Sequence, residues 1–120
     1  MEIGVENSES ISLWLKYCKY AMIYGMDINK EYNNDRVQII KGDQSNETDI
    51  NKVISIVGGD IDMILDDGSH IPEHQLLCFE KLFPYIKDGG IYIIEDIETS
   101  YWKKNNIYGY QTRYGALNII

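Results

Sequence analysis

The chain has 120 residues, enough for one small domain, and its 44% hydrophobic and 25% charged residues are typical of a folded protein rather than a disordered one. Nineteen Asp and Glu against eleven Lys and Arg give a net charge of −8, which repels phosphate backbones and argues against general nucleic-acid binding. No apolar run approaches the roughly 20 residues of a membrane span, and the first residues do not resemble a signal peptide. We therefore expect a cytoplasmic protein that does not bind membranes, with Cys18 and Cys78 as buried thiols in a reducing compartment.

Short apolar strands alternate with helical patterns along the chain. Strands are predicted at residues 1–5, 22–27, 37–40, 61–65 and 91–94, and helices at 8–20, 49–57 and 72–86. Ser8 or Ser10 is placed to cap the first helix, and the glycine pairs 58–59 and 89–90 are expected to end the other two. This alternation predicts an α/β fold, a Rossmann-like doubly wound parallel sheet in the order 3-2-1-4-5.

The predicted sheet looks incomplete at both ends. The chain starts inside the first strand and stops on the apolar run 117–120, and five strands leave a long unpaired edge. We expect either a truncated product or a partner chain, such as a second copy in a homo-oligomer, that covers the open edges.

Acidic residues follow four of the five predicted strands. They are Asp27, Asp43, Asp66 with Asp67, and Glu95 with Asp96. Because the carboxyl ends of parallel strands meet at one edge, these side chains should crowd one rim, where a cation or a hydroxyl-rich ligand would offset their repulsion. Solvated loop residues are the ordinary alternative at any single strand end.

The first strand leads into a reduced glycine-rich loop with Gly4 as its one glycine. Gly4 would let the backbone approach a ligand closely. Asp27, 23 residues later, stands where a carboxylate accepts both hydroxyls of a ribose. A turn glycine and a solvated aspartate would produce the same pattern, so this loop by itself is weak evidence for a nucleotide.

Asp67, Glu95 and Asp96 are the candidate metal ligands, because three carboxylates from adjacent strand ends favour Mg²⁺, Mn²⁺ or Ca²⁺ over zinc. His70 follows Asp67 by three residues. An imidazole beside a divalent ion can take a proton from a hydroxyl at neutral pH, which makes His70 the candidate general base. The alternative for His70 is a loop histidine that caps the next helix.

Two competing motifs are less consistent with the predicted elements. The segment His70-Ile71-Pro72-Glu73-His74 matches the H-x-x-E-H spacing of a zinc peptidase, but Pro72 should start the helix after His70 and keep the imidazoles apart. Residues 60–62 match the D-x-D motif of metal-dependent glycosyltransferases, but this segment lies at the amino end of its strand, away from the expected ligand edge. Tyr and Trp residues cluster at positions 101–114, which suits either a sugar pocket or a protein interface.

The chain resembles class I S-adenosylmethionine-dependent methyltransferases, and more narrowly the Mg²⁺-dependent sugar O-methyltransferases of macrolide biosynthesis, of the mycinamicin and demethylmacrocin type, whose relatives are labelled cephalosporin hydroxylase. The resemblance is carried by the segments MEIGVENSESISLW, IYGMDIN, VQIIKGDQSN, IDMILDDGSHIPEHQ and FPYIKDGGIYIIEDIETSYW. DDGSH and IIEDIETSYW are its most specific parts. It covers residues 1–102 as a methyltransferase core and leaves 103–120 as a divergent or truncated tail.

The resemblance implies an O-methyltransferase that uses S-adenosylmethionine and Mg²⁺ on a hydroxyl of a sugar or small natural product. The implied roles are as follows: Glu2 and Gly4 line the cofactor loop, Asp27 binds the ribose, Asp43 and Gln44 lie by the adenine, Asp66 lies near the methionine part, Asp67, Glu95 and Asp96 hold Mg²⁺, and His70 is the general base. Three alternatives stay open. They are a catalytically degenerate cofactor-binding or interaction module, a metal-dependent sugar-modifying enzyme without the methyl donor, and a nicotinamide dehydrogenase.

Overall fold

The computed structural model describes residues 1–102 and 108, which form one twisted sheet with helices on both faces. The elements in chain order are β1 Glu2–Ile3, α1 Glu9–Tyr17, β2 Ile23–Asp27, β3 Tyr32–Asn33, β4 Val37–Lys41, α2 Glu47–Val57, β5 Ile61–Asp66, α3 Pro72–Leu82, a 3-10 turn Phe83–Tyr85, β6 Ile86–Ile94 and a 3-10 turn Ile97–Tyr101. No helix in this part of the chain is long and apolar enough to cross a membrane.

The sheet order is β3-β4-β2-β1-β5-β6, with every pairing parallel except that of β3 with β4. The predicted order 3-2-1-4-5 is therefore confirmed for the five main strands. The two-residue strand β3 was not predicted. It forms an antiparallel edge because Asn34 turns the chain, its Oδ1 accepting from the amides of Arg36 at 2.8 Å and Val37 at 2.7 Å.

Two apolar clusters fill the layers on either side of the sheet. Ile11 of α1 packs on one face against Val5, in the loop after β1, and against strand residues that include Ile39. The cluster that includes Ile50 of α2 and Cys78 of α3 is the larger of the two. These layers bury both faces of the central strands, which explains why those strands read as continuous apolar runs.

The end of α3 and the start of the last strand differ from the prediction. The helix stops at Leu82, not at residue 86, because Pro84 lacks the amide hydrogen that would donate the next helical bond. Strand β6 already begins at Ile86, so Gly89 and Gly90 lie inside it rather than ending a helix. Gly90 is needed there, because an added Cβ would lie 2.4 Å from Ile86 Cγ2 where the pairing with β5 shifts register.

Helix α1 also departs from the prediction at both ends. Ser8 occupies the N-cap position at φ 66° but makes no side-chain cap, and the Ser10 hydroxyl donates to Glu2 instead. Cys18 follows the end of the helix and is exposed, so the prediction of a buried thiol is wrong there and correct for Cys78. Helix α2, in contrast, ends at Gly58 as expected, and starts two residues early at Glu47 because Asn46 caps it.

Candidate active site

A cavity of about 520 Å³ opens at the carboxyl edge of the sheet. Six of the residues predicted to form the site line it: Gly4, Asp27, Asp43, Gln44, Asp67 and His70. Four others, Glu2, Asp66, Glu95 and Asp96, lie outside its lining. The cavity therefore sits where a doubly wound sheet binds its ligand, at the point where strand order reverses.

Gly4 brings the loop after β1 against the loop after β5. Its backbone has φ +80°, and an added Cβ would lie 2.2 Å from the carbonyl oxygen of Asp67. The Asp67 amide in turn donates to the Ile3 carbonyl at 3.0 Å. Only glycine fits this position, so the contact between the two loops requires the single glycine of the reduced loop.

Asp27 organises the wall of the cavity through four backbone amides. Oδ2 accepts from Val5 and Glu6, each at 3.1 Å, and Oδ1 accepts from Asn29 at 2.8 Å and Lys30 at 3.0 Å. Burial alone would raise the pKa of this carboxyl, but the four donors outweigh it and hold the pKa below its usual value. A ribose hydroxyl would have to share these acceptor positions, since a carboxylate offers about four.

Gln44 connects the cavity to the loop that carries Asp67 and His70. Its Nε2 donates to Asp66 Oδ1 at 2.7 Å, and its Oε1 accepts from the Ser69 amide at 2.8 Å. Asp66 is fully buried, and desolvation raises the pKa of its carboxyl to about 6. The Gln44 side chain and Asp66 thus bind each other, which leaves their implied contacts with adenine and methionine as predictions.

Asp43 and Glu2 also bind protein groups. Asp43 Oδ1 accepts from the hydroxyl and the amide of Ser45, and these bonds lower the pKa of the carboxyl. Glu2 Oε2 accepts from the Trp14 indole at 2.7 Å while Oε1 accepts from Ser10. Asp43 faces the cavity, whereas Glu2 anchors α1 to the first strand.

Asp67, His70 and Asp96 meet at the rim between β5 and β6. One ligand atom from each lies within 4.8 Å of the others, so the three could hold a metal ion. His70 Nε2 is 3.8 Å from Asp67 Oδ1 and 3.4 Å from Asp96 Oδ2. The two carboxylates are donors that suit Mg²⁺ and Mn²⁺, whereas an imidazole is a donor more typical of Zn²⁺ and Fe²⁺.

Glu95 was predicted as the third metal ligand, but its oxygens do not belong to that group. Loss of hydration and then the charges of Asp67 and Asp96 raise the pKa of Glu95, so the three carboxylates do share one rim. Desolvation also raises the pKa of Asp67, and the negative charge of Asp96 adds to this increase. The rim therefore has the excess negative charge that a cation would neutralise.

The backbone is strained where the cluster forms. His70 has φ 55° and Asp96 has φ 52°, both in the left-handed region that non-glycine residues rarely adopt. The His70 Nδ1 atom is buried with no hydrogen-bond partner. Strain of this kind persists where the surrounding structure imposes it, and it is frequent at functional sites.

The peptidase interpretation fails on geometry, as predicted. Helix α3 starts at Pro72, after His70. His74 Nδ1 is 2.8 Å from Ser69 Oγ, whereas His70 Nε2 points toward the carboxylates, so the two imidazoles do not converge. In the D-x-D segment, Asp62 pairs with Lys87 at the opposite end of the sheet.

Several groups at the site were not identified from the sequence. Ser69 lines the cavity, and Gln75 of α3 donates from Nε2 to the Glu95 carbonyl at 3.0 Å. Ser69 stands inside the DDGSH segment and could have been found there, whereas nothing in the apolar pattern of α3 distinguishes Gln75. Of the aromatic cluster, Trp102 packs edge-on to Tyr108 with ring centroids 5.1 Å apart, and neither lines the cavity. Tyr110 and Tyr114 lie outside the described residues.

Comparison with known proteins supports a specific family. A family model described as a methyltransferase domain matches residues 1–97. The chain is 37% identical over 111 residues to an 8-demethyl-8-alpha-L-rhamnosyl tetracenomycin-C 2′-O-methyltransferase of Streptomyces olivaceus, covering 85% of this chain and 29% of that protein. It is 37% identical over 111 residues to a mycinamicin VI 2″-O-methyltransferase of Micromonospora griseorubida, covering 85% of this chain and 28% of that protein.

Solved structures give the same relationship. The fold matches the MycE methyltransferase from the mycinamycin biosynthetic pathway in complex with Mg, SAH and mycinamycin VI, with a TM-score of 0.81 and 31% identity, covering 98% of this chain and 35% of that one. A short-chain dehydrogenase family protein from Francisella tularensis matches at a TM-score of 0.67 with 16% identity, covering 97% of this chain and 57% of that one, a likeness of fold alone. The chain spans less than a third of the length of the curated relatives it matches.

Proposed function

The chain belongs to the methyltransferase domain family that matches residues 1–97, and from this premise we propose that it forms the cofactor and metal site of an O-methyltransferase. The proposed enzyme uses S-adenosylmethionine and Mg²⁺ to methylate a hydroxyl of a sugar or a small natural product. The observation that carries the proposal is the cluster of Asp67, His70 and Asp96 at a rim adjoining the cavity. In this arrangement a base and two carboxylates stand beside a volume large enough for a nucleoside.

The donor set of this rim fits the metal. We propose that Asp67, Asp96 and Glu95 hold Mg²⁺, the first two lying within reach of one ion and Glu95 sharing the same rim. When bound, Mg²⁺ supplies Lewis-acid chemistry that makes an acceptor hydroxyl more acidic. His70 Nε2 faces the two carboxylates, so it is the nitrogen we assign as proton acceptor.

The cavity is the proposed site of the methyl donor. Gly4 admits the cofactor close to the backbone, and Asp27 is proposed to share its carboxylate with the ribose hydroxyls. The remaining proposed cofactor residues are Glu2, Asp43, Gln44 and Asp66. Of these, Asp43 and Gln44 line the cavity, whereas Glu2 and Asp66 would act through the residues they hold.

The test is calorimetric titration of the 120-residue chain with S-adenosylmethionine, with and without Mg²⁺, followed by a methyl-transfer assay on a panel of glycosides. His70→Ala should abolish transfer and leave cofactor binding nearly intact, since the imidazole takes the proton and does not hold the cofactor. His74→Ala is the matched control, because it removes the other histidine, whose ring contacts Ser69.

The outcomes separate the alternatives. Unchanged transfer in His70→Ala would refute the assignment of the base. Cofactor binding without transfer to any glycoside would favour a catalytically degenerate cofactor-binding or interaction module. Mg²⁺ binding without cofactor binding would favour a metal-dependent sugar-modifying enzyme that does not use S-adenosylmethionine.

The wider setting of the chain is also proposed. The proposed substrate is a sugar or glycoside, and the proposed location is the cytoplasm. Neither nucleic acid nor a membrane is proposed as a partner, and the net charge of −8 supports the exclusion of nucleic acid. Residues 1–102 are proposed as the methyltransferase core and 103–120 as a divergent tail. A homo-oligomer is proposed to cover β6, on which Ile91 and Ile93 are exposed.

A further inference from the structure

The corner after β6 is where the chain places Asp96 against His70. The Glu95 amide donates to the Asp66 carbonyl at 2.9 Å, which is the last bond of the ladder between β5 and β6 in this direction. In a continuing parallel ladder the Glu95 carbonyl would accept from the amide of residue 68. The Gly68 amide instead faces Asp66 Oδ1 at 3.4 Å, so the two strands separate here.

Gln75 supplies the donor that the ladder no longer provides. The residue is 4% exposed, and its Nε2 donates to the Glu95 carbonyl at 3.0 Å. The backbone amide of Gln75 donates to the Ile71 carbonyl at 3.0 Å, in the first turn of α3. This one residue therefore ties the helix that follows the Asp67 and His70 loop to the corner that carries Asp96.

We propose that Gln75 is a positioning residue of the metal site, whose side-chain amide holds the Glu95 carbonyl and so sets Asp96 against Asp67 and His70. The inference rests on the proposed function, because it concerns the same metal. Asp96 adopts a strained φ of 52°, and a peptide in that geometry needs neighbours that hold it. Groups that orient metal ligands typically change metal affinity by about 10- to 100-fold when they are removed.

The experiment measures Mn²⁺ binding to the full chain by electron paramagnetic resonance, with Mn²⁺ as the probe for the Mg²⁺ site. Gln75→Leu should weaken Mn²⁺ binding about tenfold. Its affinity for S-adenosylmethionine should change less than about twofold, a difference that a general loss of structure would not produce. Gln38→Leu is the matched control, since it makes the same exchange on β4, which three strands separate from β6.

Gln75→Met, which keeps the length of the side chain but has no donor, carries the same test if Gln75→Leu does not fold. Wild-type affinity for Mn²⁺ in the folded variants would overturn the inference and leave the proposed function standing. Equal losses of Mn²⁺ and cofactor affinity would also overturn it, because Gln75 would then be structural. Failure of the wild-type chain to bind Mn²⁺ would refute the metal part of the proposed function and the inference with it.

Discussion

Asp27→Asn tests whether one carboxylate holds the cavity wall together. Asparagine keeps one of the two acceptor oxygens and puts an NH₂ group in place of the other, so two backbone amides lose their acceptor whichever way the side chain turns. A hydrogen bond to a charged group contributes about 1.5–3 kcal/mol. We expect the free energy of unfolding to fall by about 3 kcal/mol, the low end for two bonds, because three of the four amides are only partly buried.

The assay is urea unfolding followed by circular dichroism, without metal or cofactor, at pH 7. Asp35→Asn, in the exposed turn between β3 and β4, is the control and should change stability by less than about 0.5 kcal/mol. The pKa of Asp27 is lowered on folding, so its contribution is present above the unfolded pKa and is lost as the pH falls through the folded value. The difference between wild type and Asp27→Asn should therefore shrink below about pH 4.

An Asp27→Asn protein that unfolds within about 0.5 kcal/mol of wild type at pH 7 would refute this reasoning. A difference that stays constant in acid would refute the electrostatic part of it, since the carboxylate would then act without its charge.

Two further predictions concern the loop and the thiols. Gly4→Ala places a Cβ 2.2 Å from the Asp67 carbonyl oxygen at a φ of +80°, so we expect at least a tenfold loss of cofactor affinity, measured by calorimetry. Gly59→Ala is the control, because there is open space around that glycine. Equal cofactor affinities in the two variants would contradict the prediction. A thiol reagent should modify exposed Cys18 at once, and Cys78 only as fast as the chain unfolds, because Cys78 is buried and burial raises the pKa of its thiol. Rapid modification of both thiols would contradict this prediction and show that the reagent reaches the layer between α3 and the sheet without unfolding.

Local pattern was enough to predict the sheet and the acidic rim. Apolar runs reveal buried parallel strands, and the right-handed crossover rule leaves few orders for them, so 3-2-1-4-5 could be predicted without coordinates. The predictions from local pattern were wrong at the ends of two helices. Pro84 ended α3 early, and exposed Cys18 lay just past the end of its helix.

The partners of the site residues that are distant in sequence were decided by the tertiary structure alone. Residue type and strand position placed Asp27 at the ligand edge, and the family resemblance placed Gln44 there. The bonds from the Val5 and Glu6 amides to Asp27 and from Gln44 to Asp66 join segments more than 20 residues apart. Grouping His70 with Asp96, and tying that corner to Gln75, likewise required β5, β6 and α3 to be packed together. Sequence periodicity specifies which face a side chain occupies, whereas its hydrogen-bond partner depends on how distant segments approach, and only the folded chain determines that approach.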